Sequence, residues 1–420
     1  MTKVKQGLDR VRNITFNSLM FLLVSCNVLA FMRFSAANVF YIAKFVLFLS
    51  CAAFFLIYLL IKKKKIRMTP HSRMTSLIFY LWVVVMCLGL TNSTSISDIV
   101  SMGMTIFSYI MLFGFAIVLL PNYVRYKKMK YAEIVRVFYF AVLFSIGVSI
   151  LAGFGDPESF HLDPYSLRNR YMAYFQHPNS LGLYAFLGIV VSIIMQSVGR
   201  SRLYLLTVPL YLTLIVMSGS RTALYTVIAM LLIFMFKRIL YLGMLQMLKY
   251  PYVFFPLLAC LLFGILAAVD RDTLLDTVDK ALSNRITVWS DLLDRNESLL
   301  HFIIGQGTLK TDEIMDNYYL VVMTSTGFLG LAMFVFMLMN TFYGLLKQFN
   351  ETPSKTLGMI IAMMVALALY SFTESVMFTL GNAASIFLWS SVGICFQDVR
   401  IIRRTQESGR TQPPYAITVT

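Results

Sequence analysis

The stretch NVFYIAKFVLFLSCAAFFLIYLLIKKKKIR, residues 38–67, decides the fold class. Its first part is apolar apart from Lys44, and it stops at Lys62 to Lys65, with Arg67 just beyond. An apolar run of about 17–25 residues is what an α-helix needs to cross a hydrocarbon core of roughly 30 Å. Lysines clustered at one end mark the cytoplasmic side, because short basic loops are retained there. The segment therefore predicts a transmembrane helix that ends in the cytoplasm.

The same pattern recurs along the chain. Apolar runs near 15–32, 75–90, 99–120, 135–153, 180–197, 203–219, 222–236, 252–269, 317–346, 357–371 and 376–397 bring the expectation to about 12 spans. Composition agrees: 58% of the 420 residues are hydrophobic and 13% are charged, against about 25% charged in soluble domains. The fold class predicted is all-α integral membrane.

Charge gives an independent check on the topology. With the N-terminus inside, the inner segments hold Lys62 to Lys65, Arg67 and Arg73, then Arg125, Lys127, Lys128, Lys130 and Arg136. They go on to hold Arg200, Arg202, Lys237, Arg238, Lys249, Lys347, Lys355, Arg400, Arg403 and Arg404. The short outer segments are poor in both residues, with only Arg33 in the first and none in 91–98 or 371–375. Both termini are thus placed in the cytoplasm. The net charge of +16 follows from this loop bias and not from a nucleic-acid surface, since no nucleic-acid-binding module is present. The basic start (Lys3, Lys5, Arg10, Arg12) has no small-residue cleavage site after it and reads as an uncleaved first span.

Two outer loops are long: Gly153 to Asn179, and Asp270 to Asp316 between spans 9 and 10. In the second, Leu275, Val278, Leu282, Ile286, Trp289 and Leu293 recur at helical spacing. They predict an amphipathic helix on the outer surface or over a cavity. Residues 1–404 read as one polytopic domain that includes this loop. The polar segment 405–420, with Pro413-Pro414, reads as a disordered cytoplasmic tail. The five cysteines and four histidines have no metal or redox spacing, so no metal or cofactor is predicted.

Outer arginines are the anomaly. The charge bias disfavours them, yet Arg168, Arg170, Arg221 and Arg285 lie at or near the outer ends of spans. Each alone is explained by snorkelling to lipid phosphate. Together they suit bidentate binding of phosphate. Arg168 and Arg170 open a stretch that continues through Tyr171, Phe175, His177, Pro178 and Asn179 into a span. There Asn179 reads either as a helix cap or, with His177, as a grip on a sugar or diphosphate. Asp316-Asn317-Tyr318 enters the span after the large loop, and Asp316 reads as a cap or as a general base. Glu374, in a short outer loop, is the other candidate carboxylate. Lys44 reads as a lysine that snorkels from within a span.

These features occur in an order that resembles the O-antigen polymerase and O-antigen ligase superfamily. The likeness covers the middle of the chain, from the loop before Arg168 to Gly330. The family's arginine and Gly-x-Phe-x-His-Pro-Asn-like stretch is matched by Arg170 and Ala173-Tyr174-Phe175-Gln176-His177-Pro178-Asn179, with Ala173 near the usual glycine. A Ser-x-Ser-Arg turn is matched by Ser218-Gly219-Ser220-Arg221. The spaced Arg and Trp of a large outer loop are matched by Arg285 and Trp289, followed by Gly305 and Gly307. A His-Asn-x-Tyr-Leu-like helix start is matched by Asn317, Tyr318 or Tyr319, and Leu320, with Gly327 and Gly330 downstream. Ligases usually carry a histidine where this chain has Asp316, which fits the polymerases of capsule pathways better.

The resemblance implies a GT-C-like membrane glycosyltransferase of the Wzy polymerase type in the bacterial cytoplasmic membrane. It implies a polyprenyl-diphosphate-linked glycan substrate drawn from the lipid bilayer. It also implies a chain-length regulator and a flippase as partners in one pathway. The implied roles are Asp316, Arg221 and Arg285 in catalysis. Arg168, Arg170, His177, Asn179, Trp289, Asn317, Tyr318 and Glu374 would hold the substrate. A ligase and a lipid-linked oligosaccharide flippase are the competing readings.

Overall fold

The computed structural model describes residues 2–35, 37–93, 95–162, 169–199, 201–249, 299–307 and 317–397. The described chain is predominantly helical, with one short hairpin. In order it forms α1 (Thr2–Leu29), α2 (Ala37–Ile61), α3 (Pro70–Gly89), α4 (Ile96–Phe113), α5 (Leu120–Lys127) and α6 (Tyr131–Ala152). Strands β1 (Phe160–Leu162) and β2 (Asn169–Tyr171) follow, then α7 (Pro178–Gly199), α8 (Thr207–Ser218), α9 (Arg221–Met235) and α10 (Lys237–Lys249). After these come α11 (Leu299–Ile304), α12 (Tyr318–Glu351), α13 (Lys355–Tyr370) and α14 (Ala383–Gln397).

Six described helical stretches are long and apolar enough to cross a bilayer, or seven if the bent pair α9–α10 is one span. Four shorter apolar helices accompany them: Ile14–Leu29, Arg202–Ser218, Lys355–Tyr370 and Ala383–Gln397. The protein is therefore a helical, multi-pass membrane protein. The innermost helices are α7, α13 and α14, whose side chains are buried nearly all round, as expected for spans enclosed by other spans. Around them α1 packs on α2 and α6, α3 on α12, and α9 on α13.

Helix starts follow the sequence closely. Thr69, Ser95, Ser220, Asn317 and Ser354 each accept a backbone N–H of the following first turn and so satisfy groups that lack a partner within the helix.

The structure corrects several expectations. The expected span 376–397 becomes helical only at Ala383. Residues 371–382 are irregular but mostly buried, and side chains supplement their turn-type backbone bonds. Trp389 Nε1 donates to Met377 O at 2.8 Å, Ser385 Oγ accepts from Thr379 N at 3.1 Å, and Asn382 Oδ1 accepts from Ala384 N at 2.8 Å. Irregular backbone is tolerated at membrane depth when it is enclosed by protein in this way. The basic segment 237–249, expected as a loop, is helix α10, bent 91° from α9. The run 96–127 is continuous, with a π-helical turn over Gly114–Leu119.

Lys44 does not snorkel. It is 4% exposed and shares the buried face of α2 with Phe48, Cys51, Phe55 and Leu59. Its ammonium lies 3.7 Å from the centroid of the Tyr41 ring, a cation–π contact. A Cβ on Gly381 would sit 2.8 Å from its Nζ.

Helix α12 is broken at Gly327, which has φ 69° and ψ −176°. The freed carbonyls are taken by the Gly305-Gln306-Gly307 segment. Gln306 N donates to Thr324 O at 2.8 Å, and Gly307 N donates to Ser325 O at 3.2 Å. Asn92 and Ser93 donate to Gly305 O and Gly307 O at 2.8 and 2.7 Å. The Gly305–Gly307 segment is thereby fixed to α12 and to the turn that follows α3. The expected span 252–269, the amphipathic helix over 275–293 and the tail 405–420 lie outside the described residues.

Candidate functional site

The N-terminal ends of α7, α9 and α12 and the C-terminal end of α13 meet at one end of the bundle. The opposite ends of these helices run into the basic residues Arg202, Lys237 with Arg238, Lys347 and Lys355. The site is thus at the end of the bundle away from the basic loops.

The β1–β2 hairpin sets the first residue in place. It is antiparallel, with His161 opposite Arg170 and Phe160 opposite Tyr171. Partial burial raises the Tyr171 phenol above its ordinary pKa, which keeps the hydroxyl protonated. Beyond β2 the chain turns through Ala173, whose φ is 48°. This is the left-handed region that glycine adopts most readily. Arg33 braces the turn by donating to Ala173 O at 3.1 Å while pairing with Asp156 at 3.1 Å and Glu158 at 2.9 Å.

Arg170 then reaches across the Ser218–Arg221 turn. Its Nε donates to Ser218 O at 2.9 Å, and its Nη2 donates to Asn179 Oδ1 at 2.6 Å. Gly219, the left-handed cap of α8 at φ 60°, lies beneath the arginine stem. A Cβ there would be 3.3 Å from Arg170 Cγ. Two sequence motifs separated along the chain therefore interlock through one guanidinium.

Asn179, in the first turn of α7, passes the connection on. Its Nδ2 donates to Glu374 Oε1 at 2.6 Å. Tyr370 hydroxyl donates to Asn179 O at 3.4 Å, and Thr373 hydroxyl donates to Thr222 Oγ1 at 3.1 Å, next to Arg221. The result is a guanidinium–amide–carboxylate chain, Arg170–Asn179–Glu374, tied to three helices. The amide orientation is fixed by its neighbours: only Oδ1 toward Arg170 and Nδ2 toward Glu374 satisfies both.

His177 is exposed at the rim. Its Nδ1 accepts from Asn179 N at 3.2 Å, and its ring centroid is 6.1 Å from that of His161. Arg221 opens α9 and is exposed, with no hydrogen-bond or ion-pair partner among the described residues.

Asn317 and Tyr318 form the frame of the site. Asn317 is buried, and its Oδ1 accepts from Tyr319 N at 3.0 Å and Leu320 N at 3.2 Å. Tyr318 is 1% exposed and its hydroxyl donates to Tyr109 at 3.0 Å. Its backbone N–H donates to Ser371 O at 2.9 Å, which ties the start of α12 to the segment carrying Glu374. Arg168, Arg285, Trp289 and Asp316 lie outside the described residues.

The sequence is similar to no protein-family model and to no curated protein.

The sequence reading did not anticipate Ser218 O, Thr222, Tyr370, Ser371 or Thr373 in the site. Of these, only Ser218 carried a signal, because it sits in the Ser-Gly-Ser-Arg turn. The others are ordinary helix-end residues, and their role comes from how α7, α9 and α13 are packed. Among the described residues no group of His, Cys, Asp and Glu is arranged to hold a metal ion.

Proposed function

We propose that this protein is a polysaccharide polymerase of the Wzy type. It would join polyprenyl-diphosphate-linked oligosaccharide repeat units at the outer face of the bacterial cytoplasmic membrane. The carrying observation is the Arg170–Asn179–Glu374 chain with the exposed Arg221 beside it, at the end of the bundle away from the basic loops. Three helices begin at this end, and helix N-termini favour negative charge.

The chemistry fits these groups. In the proposed step an acceptor-sugar hydroxyl attacks the anomeric carbon of the donor. The carbon–oxygen bond to the diphosphate breaks, and the diphosphate lipid leaves with the electron pair. The hydroxyl proton passes to a carboxylate, Glu374 or Asp316. Attack from the face opposite the leaving group inverts the anomeric centre. Arg221, with Arg285 from the large loop, neutralises the leaving diphosphate, the kind of preorganised electrostatics that stabilises a transition state. Arg170 holds Asn179 and thereby Glu374 in place, so its role is positioning. Arginine charge takes the part a metal plays in other transferases.

The proposed topology has about 12 spans with a GT-C-like arrangement, both termini in the cytoplasm and the 270–316 loop outside. The large loop would cover the sugars, and the lipid tail would lie against the spans. A flippase and a chain-length regulator would supply the substrate and limit the product.

The reading is tested by expressing Arg170→Ala, Arg221→Ala and Arg285→Ala in cells that depend on this protein for polymer. Loss of long-chain polysaccharide is expected in each. Full-length polymer in all three contradicts the proposal.

A further inference from the structure

A groove of about 490 Å³ runs between α1 and α6, far from the site above. Its volume falls within the roughly 300–1,000 Å³ of small-molecule sites. Its lining is segregated along its length. Asn17 and Ser18 of α1 and Glu133 and Arg136 of α6 line one end, and Phe21, Leu22, Val137 and Phe140 line the other. The polar end is the one near the basic turn Lys127–Lys130 that precedes α6. A groove that is polar at the end of a span and apolar deeper along it matches the build of a phospholipid.

The polar groups specify the headgroup. Arg136 is exposed and has no ion-pair partner among the described residues. Glu133 makes one long contact, accepting from Lys130 N at 3.5 Å, and no ion pair joins it to Arg136. One end of the groove therefore presents a cation and an anion that do not pair with each other. Arg136 suits a phosphate. The Glu133 carboxylate takes hydrogens from a donor of positive charge. A headgroup with negative charge alone meets the Glu133 carboxylate, and a quaternary ammonium has no N–H to give it.

We propose that the α1–α6 groove binds one phospholipid with a primary-amine zwitterionic headgroup. The phosphate pairs with Arg136, the ammonium donates to Glu133, and the upper acyl chain lies against Phe21, Leu22, Val137 and Phe140. This site is independent of the reaction proposed above.

The test is native mass spectrometry of the purified full chain, released from detergent carrying equal amounts of phosphatidylethanolamine, phosphatidylcholine and phosphatidylglycerol. The expected result is at least fivefold retention of phosphatidylethanolamine over either competitor. Glu133→Gln should reduce this selectivity to near parity with phosphatidylcholine, and Arg136→Gln should lower retention of all three. Equal retention by the wild type, or preference for phosphatidylglycerol, overturns the proposal. So does unchanged selectivity when Glu133→Gln and Arg136→Gln are combined. If a variant does not fold, the wild-type competition alone decides the question.

Discussion

Arg170 and Asn179 are joined by a 2.6 Å hydrogen bond from guanidinium to amide oxygen, and Asn179 donates an equally short bond to Glu374. The asparagine must accept on one side and donate on the other, which no carboxylate can do when ionised. Asn179→Asp would keep the bond to Arg170 and set two carboxylates face to face. Transfer activity should fall at least tenfold with Asn179→Asp, and as far with Asn179→Ala. Product yield from purified variants checks this. Wild-type activity in Asn179→Asp contradicts the relay.

Arg170 donates in two diverging directions, to Ser218 O and to Asn179. A lysine places one charge at one point and cannot reproduce that fork. Arg170→Lys should therefore behave like Arg170→Ala in polymer formation while the protein still purifies as a folded species. Full rescue by lysine would mean that charge alone matters at this position.

Gly219 combines φ 60° with contact beneath Arg170. Alanine there takes on a left-handed strain of roughly 1–2 kcal/mol and pushes on the arginine stem. Gly219→Ala should lower thermal stability modestly and activity severely. Equal small effects on both would detach Gly219 from the site.

Ala173 already carries a left-handed backbone with φ 48°. Ala173→Gly relieves the strain but frees the unfolded chain, so its net effect on stability should lie within about 1 kcal/mol. Ala173→Val adds a branched side chain in the same conformation and should destabilise strongly. Unfolding curves in detergent distinguish the two.

Gly327 breaks α12 where Ile303 and Gly305 pass directly against it, and a Cβ would collide with the backbone of Ile303. Gly327→Ala should cost at least the roughly 1–3 kcal/mol typical of overpacking. The expected readout is a lower melting temperature and loss of the monodisperse peak in size-exclusion chromatography.

Hydropathy made much of this fold legible because span length and loop charge are properties of composition. The runs around α2, α3, α6 and α7 lie where apolar content placed them. What composition could not carry is how backbone groups are satisfied inside the bundle. The apolar run Val376–Leu380 reads like the start of a helix, yet it lies in the irregular segment 371–382, which the Trp389, Ser385 and Asn382 bonds help to satisfy. The break at Gly327 depends on Gly305-Gln306-Gly307, a segment outside α12 that takes its freed carbonyls. Lys44 looked like an end-of-span lysine because sequence gives its depth along α2 but not which face meets the bundle. In the site, Arg170, Asn179, Arg221 and Glu374 were visible as polar residues at span ends expected to face outward. The bond that makes Asn179 a bridge was not, since it joins residues 195 positions apart.

The most direct measurement supplies purified protein in liposomes with the diphosphate-lipid repeat unit of its own pathway, beside an Arg221→Ala control. The proposal predicts a ladder of glycans spaced by one repeat unit from the wild type and none from the control. Movement of the intact lipid between leaflets without a ladder, or transfer of glycan only to an added acceptor, would contradict a polymerase.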